Sequence, residues 1–345
     1  MGRPRRNGTG GNPPSITNVA ERAGVSIATV SRIVNGVANK AGPDTVARVQ
    51  RAIAELGYRP VSVGRALRSG ESRLVALLAA NLGNPAMAAI AASAETALRE
   101  AGAVMVLCDT HDSPALQDEY LLEMRAQFVR GIVLLGAVPS PQLAACRAAG
   151  DPLVFVGRRP PDGPPAAFVG IDNAGAGREV ADHFLARGMR DLALIHGPLQ
   201  SSATLDRITA FRTRLAAAGA PLPAGRIATG DGIDHLAIGH TAMDRLIAAG
   251  TRPAGVFCSS DLIAYGAHRR LREAGIDVPA DVVLFGFDDN PLNDWVAPWL
   301  TSVQVPYRAF GAAIVEALAA LSAGGTALRT ILPHHFVVRG PAGVA

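Results

Sequence analysis

Residues 15–36 read SITNVAERAGVSIATVSRIVNG. Ser15 stands where a helix N-cap belongs, with Asn18 three residues on as a partial capping box, and Val19, Ala20 and Ala23 recur on one face. Gly24 ends that run. Ser26 then opens a second helix, IATVSRIVN, in which Val30, Ile33 and Val34 face inward while Ile27, Ala28, Ser31 and Arg32 point away. Pro43 suits the first turn of a third helix running to Leu56, with Val46, Val49, Ile53 and Leu56 at helical spacing and Gly57 closing it. Two short helices about a tight turn, backed by a third, are how a small domain puts a helix into the major groove of DNA. A basic hinge, VSVGRALRSG, follows at 61–70.

The charge distribution agrees with that reading. Eleven Arg and Lys within residues 1–70 face only Glu21, Asp44 and Glu55, giving this stretch +8 and leaving −4 for the remainder of a chain whose total is +4. A polyanion is the natural partner of such an N-terminal segment. Lys40 is the sole lysine. The arginine preference suits forked contacts to phosphate and guanine, and a high-GC coding bias would produce it equally well. Residues 1–14 are basic and rich in Gly and Pro without the apolar stretch of a signal peptide, and read as a disordered basic arm. Cys108, Cys146 and Cys258 are scattered, with no pairing that suggests a staple or a metal site, so a reducing cytoplasm is expected. No apolar run is long enough for a membrane span, and no membrane, metal or cofactor partner is expected.

From Leu74 onward short apolar runs alternate with amphipathic stretches. LVALLAA, VMVLCD, GIVLLG, LVFVG, AFVGID, LALIHG, RIATGD, GVFCSS and VVLFGFDD read as strands; Ala88–Ala101, Ala174–Gly188, Asp206–Gly219 and Leu262–Gly275 read as helices. Such alternation predicts parallel sheets covered on both faces. There is enough of it for two units, at 74–157 with a C-terminal return and at 168–295. The strands end in Asn81, Asp109, Gly157, His196, Asp231, Ser259 and Asp288. Ligands of open parallel sheets bind beyond the carboxyl ends of the strands, so two facing sheets would form a cleft for a small polar molecule.

VAERAGVSIATVSRIVNG, AIAELGYRP, GRALRSG, GIDNAGAGREVADHFLARG, SSDLIAYGAHRRLREAGIDVPADVVLFGFDD and APWLTSVQVP occur in this order, and through them the chain from Ser15 to Arg339 resembles the lactose-repressor (LacI/GalR) family of bacterial transcription regulators. The resemblance implies a small all-α helix-turn-helix headpiece at 15–59, a hinge helix at 60–71, and at 72–340 an α/β periplasmic-binding-protein-like core of two doubly wound parallel-sheet subdomains that binds an effector and forms a homodimer. It also implies a palindromic double-stranded DNA operator. Three positions depart from the family pattern: the segment NGVANKAGPDT is one residue longer than usual, Gly64 stands in the hinge where alanine is common, and Gly157 replaces an aspartate that binds ligand hydroxyls in many members.

In the family the second helix reads DNA, and the matching positions are Ile27, Ala28 and Arg32. Arginine donates to guanine O6 and N7, worth about 1–3 kcal/mol of discrimination, while the two apolar residues suit thymine methyl groups. Thr17, Ser26, Thr29, Ser31 and Asn35 cluster at helix starts and edges and are expected on phosphates, where plain capping would also place them. Leu67, flanked by Arg65 and Arg68, matches the hinge leucine wedged into the minor groove at a central base step. Without the surrounding motif, Arg32 would read as a solvated charge and Leu67 as a core residue.

The matching effector positions are Met87, Arg158, Ser201, Arg207, Asp261 and Asp288. Arg207 grips ligand hydroxyls or carboxylates, Asp288 accepts from the ligand at a strand end, and Asp261 caps a helix beside it; each charged residue could otherwise serve a hinge salt bridge or a helix cap. Met87 stands where an aromatic often stacks on the ligand, and Ser201 offers little to a base. With Arg158, Arg207 and His196 expected to face the cleft and the aspartate at 157 missing, an anionic sugar acid or sugar phosphate is favoured over a neutral sugar.

The competing classes are a solute receptor for transport, which would carry an export signal in place of the headpiece, and an enzyme. No GxSxG, P-loop, zinc spacing or GxGxxG motif occurs, and no catalytic residue is expected. The C-terminal residues lack a leucine heptad, so a coiled-coil tetramer is not expected.

Overall fold

The computed structural model describes residues 14–34, 41–58, 72–161 and 163–339. Asn35, Arg65, Leu67 and Arg68, along with the expected basic arm and hinge helix, therefore lie outside the described residues. The chain divides into an N-terminal unit, Met1–Ser72, and a larger unit, Arg73–Ala345.

The N-terminal unit holds α1 (Ile16–Ala23), α2 (Ile27–Val34) and α3 (Pro43–Leu56). Its start is fixed by a capping box that is fully reciprocal where the sequence reads as a partial one: Ser15 Oγ accepts from the Asn18 N–H, and Asn18 Oδ1 accepts from the Ser15 N–H at 2.9 Å. Gly24 closes α1 in the left-handed conformation. Ser26 caps α2 by accepting from the Thr29 N–H at 3.1 Å. Val19, Ala20, Ala23, Val30, Val49 and Ala52 make the core of this unit. A core this small leaves little reserve stability, and the Arg22–Glu55 pair at 2.7 Å ties α1 to α3 from outside.

In the larger unit, one six-stranded sheet contains β1 (Leu74–Ala79), β2 (Val104–Asp109), β3 (Gly131–Leu135), β4 (Leu153–Val156), β5 (Ala167–Ile171) and β11 (Arg329–Leu332) in the order β11-β5-β4-β3-β1-β2, all parallel. The second contains β6 (Leu192–Ile195), β7 (Ile227–Ala228), β8 (Gly255–Cys258), β9 (Val283–Asp288), β10 (Thr301–Gln304) and β12 (His335–Val337) in the order β12-β10-β9-β8-β6-β7, with only β12 antiparallel. Strands β1, β3, β4, β5, β6 and β8 are almost wholly buried runs of Val, Leu, Ile, Ala and Phe, as expected of strands covered on both faces.

The covering helices are α4 (Pro85–Glu100), α5 (Pro114–Ala126), α6 (Pro141–Ala148), α7 (Asn173–Ala186), α8 (Ser202–Ala217), α9 (His235–Ala248), α10 (Asp261–Glu273), the short α11 (Asn293–Val296) and α12 (Tyr307–Ser322). Helix α12 returns to pack on α4, so the chain passes between the two subdomains after β5, before α12, and between β11 and β12.

Two boundaries differ from the sequence reading. AFVGID belongs to the first sheet, because its strand continues the β4 ladder through Val154–Ala167 pairing, whereas the expected second unit began at 168. RIATGD supplies only the two-residue edge strand β7, its polar second half leaving the sheet as loop.

Candidate functional site

Between the carboxyl ends of the two sheets lies a cavity of about 990 Å³ including its open mouth. Its first-subdomain wall comprises Asn81, Asn84, Met87, Asp112, Gly136 and Arg158; the other wall includes Asn173, Ser201, Arg207, His235, Ser259 and Asp288. Asn84, Ser201 and Ser260 line it while capping α4, α8 and α10, so three helix N-termini with their partial positive charge open at this space.

Arg207 projects from α8 with its guanidinium held by two hydrogen bonds and a ring. Nε donates to Asn173 Oδ1 at 2.7 Å, Nη1 donates to the Ser259 carbonyl at 3.0 Å, and the group lies 3.4 Å from the centroid of the Phe287 ring. Asp288 ends β9 in a left-handed backbone conformation, φ 112°, rare for a residue with a Cβ. Its carbonyl accepts from Tyr307 Oη at 2.6 Å, which braces this geometry. Burial pushes the Asp288 carboxyl up to about 8, against the pull of the Arg207 charge 3.9 Å away. Burial, with the charges of Arg207 and Arg158, lowers His235 to about 4, so its imidazole is neutral; Nδ1 sits 2.8 Å from Ser260 Oγ.

Arg158 follows Gly157, whose φ of 76° suits a residue without a Cβ and turns the chain into the cavity. The arginine lines the cavity as expected and is held there by an ion pair. Both terminal nitrogens engage the two Asp112 oxygens, Nη2 to Oδ2 at 3.1 Å, and Nη1 also reaches the Gly136 carbonyl at 3.1 Å. A carboxylate thus stands on this wall after all, from the loop after β2 rather than from position 157.

Two further expectations are corrected. Asp261 does not line the cavity: Ser260 is the N-cap of α10, and the Asp261 carboxylate points into the protein, accepting from Ser302 Oγ at 2.7 Å, the Asn290 N–H at 2.7 Å and Asn293 Nδ2 at 2.8 Å. Gly286 lies so close that a Cβ there would come within 2.1 Å of Asp261 Oδ1. His196 is likewise not a lining residue, its Nδ1 being 2.8 Å from the Gly197 carbonyl. Of the other strand ends, Asp109 accepts from the Leu82 and His111 N–H groups and Asp231 is solvent-exposed, so neither lines the cavity.

Met87, Ser201, Arg158, Arg207 and Asp288 are brought together around the cavity. Asp112, Asn173, His235 and Tyr307 were missed by sequence reasoning. Asp112 sits in DTHDSP three residues after the strand-end acid Asp109, and its left-handed conformation, φ 56°, carries it inward. In the N-terminal unit Ile27, Ala28 and Arg32 are exposed on α2, Ile27 at 48%, with Thr17 and Ser26 exposed and Thr29 and Ser31 half-buried.

A chain that carries both a helix-turn-helix unit and a two-sheet body with a ligand-sized cavity has the parts of a ligand-responsive transcription regulator. Residues 15–61 match the bacterial regulatory proteins of the lacI family, and residues 181–340 match a periplasmic binding protein-like domain. The HTH-type transcriptional regulator PtxS of Pseudomonas putida is 31% identical over 341 residues, covering 94% of this chain and 95% of that protein. The complex of the transcriptional regulator CelR with cellobiose is similar with a TM-score of 0.72 at 32% identity, over 94% of this chain and 99% of that one. The lac repressor dimer bound to operator and the anti-inducer ONPF gives 0.78 at 27% identity, over 95% and 98%. The chain belongs to the lacI family and is a DNA-binding transcriptional regulator.

Proposed function

We propose that the protein is a repressor that binds a palindromic operator as a homodimer in the cytoplasm, and that a sugar, sugar acid or sugar phosphate in the core cavity changes its operator affinity. The observation that carries this reading is the cavity itself. Its walls come from both subdomains, and Ile171, Asn173, Val305 and Tyr307, beside two of the chain crossings, line it. A ligand there touches the segments about which the subdomains turn, and its differential affinity for the two arrangements is the coupling energy. Coupling of about 1–3 kcal/mol would change operator affinity about 5–150-fold.

In this reading the headpiece is 15–59, the hinge 60–71 and the core 72–340. Ile27, Ala28 and Arg32 read base edges; Thr17, Ser26, Thr29, Ser31 and Asn35 hold phosphates; Arg65, Leu67 and Arg68 enter the minor groove. Dimerisation is supported by exposed apolar residues: Val104 and Leu107 on edge strand β2, Leu122 on α5, and Trp295 and Val296 on α11. No helix among the described residues is long and apolar enough to cross a membrane.

Fluorescence anisotropy with duplexes from the protein's own promoter tests the reading. Salt-sensitive binding to one palindromic segment, tighter than to random duplex and altered by a small metabolite, is expected. Equal weak affinity for promoter and random duplex would refute it.

A further inference from the structure

Two pairs of neighbouring residues divide their work at the same place. Arg158 and Arg207 line the cavity from opposite subdomains, while the residues beside them, Arg159 and Asp206, do not line it and meet each other instead. Arg159 Nη2 donates to Asp206 Oδ1 at 2.9 Å, and the Arg159 backbone N–H donates to Ser202 Oγ at 2.8 Å. Ser202 and Asp206 lie one turn apart on α8, so a single residue of the β4–β5 loop grips one face of a helix that belongs to the other subdomain. Arg159 also borders two open grooves between the subdomains, one with Ser140 and Gln200 and the other with Phe168, Asp172 and Arg329. The grip is therefore a point contact and not part of a packed interface.

We infer that Arg159 is a clasp between the subdomains: its two bonds to α8 hold them in the present arrangement before any effector arrives, and releasing those bonds lets the body open. The chain crossings join the subdomains without setting the angle between them, and the Arg159 contacts set it on the α8 side. The Arg159 side chain is 52% exposed and that of Asp206 29%, so water screens the ion pair and it can break and re-form. A clasp of that strength biases the closed population and does not lock it. Pro160 and Pro161 follow at once, stiffening the chain beyond Arg159 and carrying no N–H of their own. Because Arg159 adjoins Arg158 and Asp206 adjoins Arg207, a displacement of either cavity residue reaches the clasp through one peptide unit. On the regulatory reading above, the clasp thereby sets the operator affinity of the effector-free protein.

The test combines amide hydrogen exchange at Arg159, small-angle X-ray scattering and promoter-duplex anisotropy, all on the full-length protein without added ligand. In the parent the Arg159 N–H should exchange about tenfold or more slowly than its intrinsic rate. Asp206→Arg and Arg159→Asp each set like charges face to face, and either should remove most of that protection and raise the radius of gyration. The double variant restores the pair with its polarity reversed and should return both readings to about the parental values, which a mere loss of folding would not do. On the regulatory reading, the two single variants should shift promoter affinity about threefold or more in the same direction, and the double variant should reverse the shift. An unprotected Arg159 in the parent, protection that neither single variant reduces, or a double variant without rescue would overturn the clasp. Faster exchange with unchanged scattering would reduce it to a local loop contact and overturn it equally. If exchange and scattering respond but promoter affinity does not, its regulatory role is overturned while the regulatory reading stands. If the parent binds promoter no better than random duplex, the regulatory reading falls, and exchange and scattering alone judge the clasp.

Discussion

The Arg207 guanidinium carbon stands over the ring of Phe287, 3.4 Å from its centroid, and Phe287 immediately precedes the acid that ends the same strand. Ring face, Asn173 amide and Ser259 carbonyl together leave the group a single orientation. Lysine keeps the charge but can neither stack its plane nor span those two acceptors. Arg207→Lys should therefore weaken the tightest-binding sugar, sugar acid or sugar phosphate at least about tenfold, about 1.4 kcal/mol, in calorimetric titration. Undiminished affinity would mean that the cavity does not use this residue.

The raised Asp288 predicts a pH dependence of stability. An unfolded aspartate ionises near 3.8, whereas the native one holds its proton to about 8, so between these values the unfolded state binds fewer protons. Stability from this group therefore falls as pH rises across that interval, and the loss is complete above it. Asp288→Asn has no proton to lose, so its stability relative to the parent should increase from about pH 5 to about pH 8 in urea unfolding. A constant difference would show that the native carboxyl ionises normally.

Asp261 is predicted to matter for folding rather than for ligand contact. Removing its carboxylate takes away the acceptor of the Asn290 N–H and of the Ser302 hydroxyl and one of the two acceptors of Asn293 Nδ2, all buried. Asp261→Ala should cost about 2–4 kcal/mol in denaturant unfolding. Gly286→Ala should also destabilise, because the added methyl collides with the same carboxylate. Wild-type melting of either variant would contradict the network described.

Arg32 is exposed on the outward face of α2. On the proposed operator reading, Arg32→Ala should erase about 1–3 kcal/mol of preference for guanine at one position per half-site, measured by selection from randomised duplexes. An unchanged preference would remove Arg32 from base recognition.

The headpiece was legible almost to the residue because its signals are local. Ser15, Gly24, Ser26, Pro43 and Gly57 each mark a helix end through chemistry within a few residues, and each does so in the structure or stands at the boundary. The alternation of strands and helices was legible for the same reason. What escaped were matters of long-range assembly. Nothing local tells AFVGID which sheet it joins, and nothing in VGR reveals that Arg158 meets Asp112 forty-six residues earlier. Asp261 misled because a helix-start acid at a strand end can turn outward or inward, and its partners, Asn290, Asn293 and Ser302, arrive only after the next strand. His235 carried no signal, since one histidine at a helix start reads as capping.

The triple passage of the chain between its two subdomains means that neither half is encoded by one uninterrupted stretch. The first half needs α12 and β11 from the far end of the polypeptide, and the second needs β12 beyond them. Cutting the gene at any single crossing cannot yield a self-sufficient lobe, whereas a protease nick at one crossing would leave the lobes tethered by the other two. Such a body can flex about three parallel straps yet resists being pulled apart or shuffled piecemeal among other proteins.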